Sequence, residues 1–372
     1  MKVMTLFGTR PEIIRLSQVI KQLDRFCDQT LVHTGQNYDR NLSDVFLEEL
    51  EVRDPDHYLD VRAATFAEQV GQILARSGDI LAHVRPERLL ILGDTNSALA
   101  SIVAARMGIP VYHMEAGNRC YDDRVPEEIN RRIVDHCSTV LMPYTHRSME
   151  NLLREGIERE RIYVTGNPIY EVLGANATRI ERSNILSDLE LEPRSYVLVT
   201  VHRAENVDDE ERLTSVIRGL NLVAERHGLP IIVSLHPRTA GRISQFGLEN
   251  LSEPLRFLTP PGFFDFVALE KQARVVISDS GTVQEECAIF GVPNVTIRDV
   301  TERAETLEAG SSMLAGAHPQ SLVQAVDVVL GTESDWIPPA EYLVEDVSRT
   351  VVKIVLGYLG PKEHRSAYFP NA

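Results

Sequence analysis

Short runs of apolar residues, each closed by Gly, Asp, His or Ser, alternate along the chain with longer stretches in which apolar positions recur every three or four residues. The first pattern belongs to strands and the second to one-sided helices. In the first half the runs are 3–7, 30–33, 89–92, 111–114, 140–142 and 162–164; in the second they are 196–201, 231–235, 255–258, 275–277 and 294–297. They carry little polar alternation, which fits parallel strands covered by helices on both faces. Between the two series lies a helix-like stretch, 169–187, followed by the polar, Pro-containing segment 188–195, the best candidate for a hinge. The pattern predicts an α/β chain of two Rossmann-like parallel-sheet domains, 1–168 and 169–343. Helices are expected over 319–330 and 344–359, and a frayed or docked end over 360–372. No period of 20 to 50 residues marks a repeat array.

Composition supports this division. A chain of 372 residues exceeds what one hydrophobic core usually fills, and 43% hydrophobic with 25% charged residues is an ordinary globular profile. With 54 acidic against 38 basic residues the net charge is −16, which argues against nucleic acid or an anionic membrane as partner. Any bound phosphate must then be held locally. The start, MKVMTLFGTRPE, reads as neither a signal peptide nor an anchor, and no run approaches the length of a membrane-spanning helix. Cys27, Cys120, Cys137 and Cys287 lack metal or disulfide spacing and read as reduced thiols of a cytoplasmic protein.

In open parallel sheets ligands bind beyond the carboxyl ends of the strands, so the residues closing each run are the informative ones. The first run ends Gly8-Thr9-Arg10-Pro11-Glu12, where Pro11 suits the first turn of a helix and Arg10 offers a planar fork to phosphate oxygens. The third ends Gly93-Asp94-Thr95, the fourth Glu115-Ala116-Gly117-Asn118-Arg119, and Pro126-Glu127-Glu128 opens the next helix. Asp94 as a helix cap and Glu127 as a dipole partner are the plainer readings. Glu115, at the lip of the crevice, is harder to explain that way. Three carboxylates on one rim would repel, raise at least one pKa, and so supply an acid and a base. In the second half the closing residues are His202-Arg203, then His236-Pro237-Arg238, then Ser278-Asp279-Ser280-Gly281-Thr282 ahead of a helix. Small residues there let backbone N–H groups approach a diphosphate, and Glu286 one turn on suits ribose hydroxyls. Neither a P-loop nor GxGxxG is present.

Taken in order, GTRPE, GDT, HMEAGNR, PEEINR, VTGN, VHRAEN, HPR, SDSGTVQEE and RDVTERAE resemble the non-hydrolysing UDP-N-acetylglucosamine 2-epimerases, from Met4 to about Gly310. The resemblance implies a glycosyltransferase-B-like fold whose two domains face a cleft, a C-terminal helix crossing back to the first domain, a homodimer, a UDP-sugar substrate and no cofactor. It also implies elimination of UDP from C1 and C2 of the sugar and re-addition after protonation on the opposite face. Carried over by position, Asp94, Glu115 and Glu127 match the acid–base carboxylates and His202 the active-site histidine. Arg10, Ser280, Gly281 and Thr282 match diphosphate contacts, Glu286 the ribose contact and Phe266 a residue near uracil. Arg15, His236 and Arg303 complete the substrate-binding set. Arg15 stands where many members have Lys, and Thr282 where a second Gly is commoner.

Two departures bear on substrate. The chain reads Gln36-Asn37-Tyr38 where the best-known bacterial members carry a Gln-His-Arg segment serving a second, activating UDP-N-acetylglucosamine. HTGQNYD, AGNRCYDDRVPEEINRR, HPRT and SDSGT are also similar to the branch that forms UDP-N-acetyl-L-fucosamine from a 6-deoxy-talose precursor. That branch, a UDP-sugar glycosyltransferase, a non-catalytic sensor and a hydrolysing relative stand as alternatives to a UDP-GlcNAc/UDP-ManNAc epimerase.

Overall fold

The computed structural model describes residues 1–35, 40–63 and 65–358, with the backbone alone over 40–43. The Gln36-Asn37-Tyr38 departure and the segment 360–372 lie outside the described residues. The chain forms two compact units, Met1–Gly174 with Glu341–Ala372, and Ala175–Ala340.

In the first unit, β1 (Lys2–Phe7), β2 (Asp28–His33), β3 (His57–Tyr58), β4 (Arg88–Leu92), β5 (Val111–Met114) and β6 (Val140–Met142) form one parallel sheet in the order β3-β2-β1-β4-β5-β6. Every residue of β4, β5 and β6 is buried, as expected of strands covered on both faces. The predicted strand at 162–164 is not one. It makes a single parallel bridge, Leu141 with Ile162, before the chain turns away at Gly166, whose φ is +87°. A side chain at Gly166 would collide with Val344, built 2.6 Å from its Cγ2, where the chain re-enters this unit.

The stretch 169–187 is three short helices, Ile169–Ala175, Ala177–Glu181 and Ile185–Asp188, broken near Asn176 and Asn184. Asparagine competes with the helix for its own backbone, which explains the breaks. The helix Val347–Leu356 packs against the helix Arg10–Phe26 and buries Val347, Val351, Val352 and Val355. Arg88 donates to the Val355 carbonyl, and the Ser348 N–H donates to Glu171 Oε2 at 2.8 Å.

In the second unit, β7 (Val197–Thr200), β8 (Ile231–Ser234), β9 (Arg256–Leu258), β10 (Val275–Ser278), β11 (Asn294–Thr296) and β12 (Ser312–Leu314) are also parallel, in the order β12-β11-β10-β7-β8-β9. Numbered within their own units, both sheets run 3-2-1-4-5-6, the doubly wound order. The order reverses between β1 and β4 in one unit and between β7 and β10 in the other, the places where such sheets bind ligands.

Candidate active site

In the first unit the loops leaving β1, β4 and β5 carry the predicted residues. Glu12, in the first turn of Arg10–Phe26, is 2% exposed and closes the β1/β4 switch point. Its carboxylate accepts from the Gly8 N–H (3.0 Å), Thr9 Oγ1 (2.7 Å) and, across the switch, Thr95 Oγ1 (3.1 Å). Burial pushes its pKa up to about 7, against the downward pull of Thr9, Gly8 and Thr95. Glu12 is not one of the three carboxylates expected to repel on one rim, and burial rather than a neighbouring charge displaces it. Folded protein holds a proton on Glu12 that unfolded chain has released between about pH 4.5 and 7, so stability falls as pH rises through that window. We expect Glu12→Gln to flatten the stability difference between pH 5 and pH 8 by ~3 kcal/mol, measured by urea titration at both.

Asp94 follows Gly93, and its Oδ2 accepts from Arg131 Nε at 2.8 Å. Glu115, directly after β5, is 7% exposed and has φ +65°, a left-handed conformation that costs a non-glycine residue ~1–2 kcal/mol. Its N–H is held by the Met142 carbonyl at 3.1 Å. Its carboxylate accepts from Arg15 Nη1 (2.5 Å), Tyr144 Oη (3.2 Å) and Asn118 Nδ2 (3.2 Å). Arg15 is thus engaged with Glu115 and is 3% exposed. Arg10 is half-buried with its guanidinium 5.6 Å from the Phe46 ring, and burial lowers its pKa. Glu127 is half-buried in the first turn of Pro126–Cys137. Its neighbour Glu128, fully buried, clamps the preceding loop by accepting from the N–H groups of Cys120 (3.1 Å) and Tyr121 (2.9 Å) and from Arg131 Nη1 (2.7 Å).

Asp135, which lies within the helix Pro126–Cys137 where no strand-end pattern singles it out, ties two of these loops together. It is fully buried and accepts from Arg119 Nη2 (2.8 Å) and the Gly117 N–H (3.2 Å), with His113 Nδ1 at 2.9 Å. The other nitrogen of His113 lies 2.8 Å from the Gly93 carbonyl, next to Asp94. Burial works against the Asp135 charge, yet His113 and Arg119 hold its pKa below the ordinary carboxylate range. Gly117 is required here: its φ is +80°, and a Cβ would lie 2.2 Å from the Ser148 carbonyl oxygen.

In the second unit the loops after β7, β8 and β10 meet. The ring centroids of His202 and His236 are 5.8 Å apart, and His236 Nδ1 accepts from the Arg238 N–H at 3.1 Å, capping its own helix. Ser280 is the N-cap of Gly281–Phe290, with Thr282 in the first turn, so the backbone N–H groups that begin this helix belong to small residues. Glu286 is 3% exposed and shares a proton-linked contact with Glu270, which is fully buried and whose pKa is raised by burial and by the Glu286 charge. Arg303 is 4% exposed and pairs with Glu285, Nε to Oε1 2.5 Å. Phe266 is half-buried against the core that contains Leu191 and Leu269.

Among the described residues no group of three or more His, Cys, Asp or Glu is arranged to hold a metal ion, and no helix is long and apolar enough to cross a membrane. Two doubly wound sheets, with acids at the strand ends of one and a small-residue helix start at a switch point of the other, place the protein in the nucleotide-binding type of α/β architecture. The family model for UDP-N-acetylglucosamine 2-epimerase matches residues 21–356, and the chain belongs to that family. It is 39% identical over 347 residues to the UDP-N-acetylglucosamine 2-epimerase of Methanocaldococcus jannaschii, covering 91% of this chain and 95% of that protein. A crystal structure of the same archaeon's UDP-GlcNAc 2-epimerase, in complex with UDP-GlcNAc and UDP, superposes with a TM-score of 0.91 at 38% identity, covering 95% and 99% of the two chains. The UDP-2,3-diacetamido-2,3-dideoxy-D-glucuronate 2-epimerase of Pseudomonas aeruginosa is 36% identical over 336 residues, 89% of this chain and 93% of that protein. With the glycosyltransferase WaaG, at 12% identity, a TM-score of 0.60 and coverage of 96% and 100%, the chain shares the fold.

Proposed function

We propose that the protein is an isomerase that interconverts UDP-N-acetylglucosamine and UDP-N-acetylmannosamine by eliminating and re-adding UDP. The observation that carries this reading is Glu115, a buried carboxylate at a strand end, held in a strained backbone conformation by Arg15, Tyr144 and Asn118. Strain maintained by surrounding bonds is characteristic of residues kept for chemistry. The C2 hydrogen has no adjacent carbonyl to acidify it, so its removal depends on C1–O cleavage. The C1–O electron pair leaves on the β-phosphate oxygen, C1 gains positive charge, and the C2 proton passes to a carboxylate. Glu115, Asp94 and Glu127 are the groups assigned to proton transfer, worth about 10² to 10⁴ in rate. Arg10, His202, His236, Arg303 and the helix start Ser280-Gly281-Thr282 are assigned to the diphosphate, where each pre-organised donor is worth about 10² to 10³. Glu286 is assigned to ribose and Phe266 to the surroundings of uracil.

Pure protein incubated with UDP-N-acetylglucosamine in D₂O is expected to place deuterium at C2 and to yield manno epimer, read by mass shift and proton NMR. A second reading, epimerisation at C2 of a UDP-2-acetamido-2,6-dideoxy-L-hexose, is favoured by the HTGQNYD and AGNRCYDDRVPEEINRR segments and is tested by offering that sugar in the same assay. Absence of exchange with either sugar, together with transfer to an added acceptor, would replace both readings by a glycosyltransferase. For assembly we propose a homodimer. Ile129 and Ile133, one turn apart on Pro126–Cys137, are 49% and 37% exposed and offer an apolar face to a second copy; light scattering reads the mass.

A further inference from the structure

We infer that Asp279 is a positioning residue that fixes the imidazole of His202 in its Nδ1–H tautomer and leaves Nε2 to meet the diphosphate. The inference rests on the reading of His202 given above. It begins at the β7/β10 switch point, where Thr200 Oγ1 and Ser278 Oγ lie 2.6 Å apart and the chain leaves both strands side by side. One residue beyond β10, Asp279 is positioned to cap the helix Gly281–Phe290, but its carboxylate turns the other way. It accepts from the backbone N–H of His202 (3.0 Å) and of Arg203 (2.9 Å), on the loop after β7, and from Asn206 Nδ2 (3.0 Å), in the short helix Ala204–Val207 that follows. His202 Nδ1 lies 3.1 Å from its Oδ1. Arg203 Nε completes the junction by donating to the Asp279 carbonyl at 3.0 Å.

Asp279 is fully buried, and an isolated carboxylate in that position would cost several kcal/mol. Burial opposes its ionisation, but the His202 charge, its imidazole N–H, and the Arg203 and Asn206 donors hold the pKa well below the ordinary range. An ionised carboxylate only accepts, so the imidazole nitrogen facing it must carry a hydrogen. That fixes the tautomer. A buried aspartate orients the catalytic histidine of serine proteases in the same way. The His202 side chain is 40% exposed, so the ring is accessible to a ligand while Nδ1 is tied. The carboxylate that orients His202 is followed at once by Ser280, Gly281 and Thr282, so one residue sets the relation between the imidazole and the helix start. A residue that merely closed the β7/β10 junction would need its backbone donors but not the imidazole contact.

The test uses full-length protein labelled with ¹⁵N-histidine. In the wild type the His202 resonances, assigned by comparison with His202→Gln, are expected to show Nδ1 protonated; protonation at Nε2 alone would overturn the inference without any variant being needed. Asp279→Asn, whose amide can donate to the imidazole, is expected to shift the ring to the Nε2–H tautomer. The same variant should slow C2 exchange by about 10²- to 10⁴-fold, comparable to the loss when the aspartate of a catalytic triad is replaced. UDP affinity should change much less than the rate. In a His202→Gln background, Asp279→Asn should cost little more, because its effect passes through the ring. A full additional loss there, or an unchanged tautomer in Asp279→Asn, would show that Asp279 acts only on the loop and would overturn the inference. If the tautomer behaves as described but no UDP-N-acetylhexosamine exchanges at C2, the reading of the reaction fails while the orientation of His202 by Asp279 stands.

Discussion

Glu115→Gln is expected to lower C2 exchange by about 10²- to 10⁴-fold, the usual contribution of a positioned acid–base group. UDP affinity should stay close to wild type, because the pyrophosphate donors assigned here, apart from Arg10, belong to Ala175–Ala340. The substitution also removes the counter-ion of Arg15, whose Nη1 is 2.5 Å from Glu115 Oε2 with both side chains nearly inaccessible. Breaking a buried pair on one side costs about 3–5 kcal/mol, so the melting temperature should fall as well. Rates are therefore compared at a temperature where circular dichroism shows both proteins folded. Wild-type turnover in folded Glu115→Gln would remove this residue from the chemistry.

The second large effect is expected at Asp135, which touches no proposed substrate contact. Asp135→Asn removes the anion that Arg119 and His113 share in a fully buried position; Arg119 keeps Glu155, Nη2 to Oε2 2.6 Å, so about 1–3 kcal/mol of stability should be lost, read by chemical denaturation. The remaining folded protein should also turn over more slowly. Asp135 holds the Gly117 N–H two residues after Glu115, and through His113 it reaches the Gly93 carbonyl one residue before Asp94. A fall in stability with full activity per folded molecule would show that these loops keep their geometry without it. Because the folded-state pKa of Asp135 is depressed, its contribution is present at neutral pH and is lost as pH falls through that value. The first unit should therefore be acid-sensitive.

Much of the architecture was legible because parallel strands buried on both faces are short, uninterrupted apolar runs. The runs at 89–92 and 111–114 match observed strands closely, and Asp94 and Glu115 follow them as a strand-end rule requires. β3 escapes a pattern reading because it is two residues long, and β12 escapes it although the equally short β6 does not. The run at 162–164 has strand-like residues but lacks a continuing ladder, since Gly166 turns the backbone away after one bridge. The groups that hold the candidate site were harder to read. Asp279 meets the His202 backbone across 77 residues and Asp135 meets His113 across 22, so their roles depend on which strands become neighbours. Read along the chain, each is one more acid beside a strand or within a helix.

The first unit is interrupted in sequence and closes only with the helix Val347–Leu356, which covers Arg10–Phe26 and supplies the carbonyl that Arg88 requires. A ribosome making this chain must therefore translate the whole second unit before the first can be finished. At ~5–20 residues per second that delay is on the order of ten seconds or more, during which the nascent amino-terminal sheet exposes an apolar helix flank. Chaperone occupancy of stalled nascent chains should consequently persist through synthesis of the second unit and drop only once residue 356 has cleared the exit tunnel.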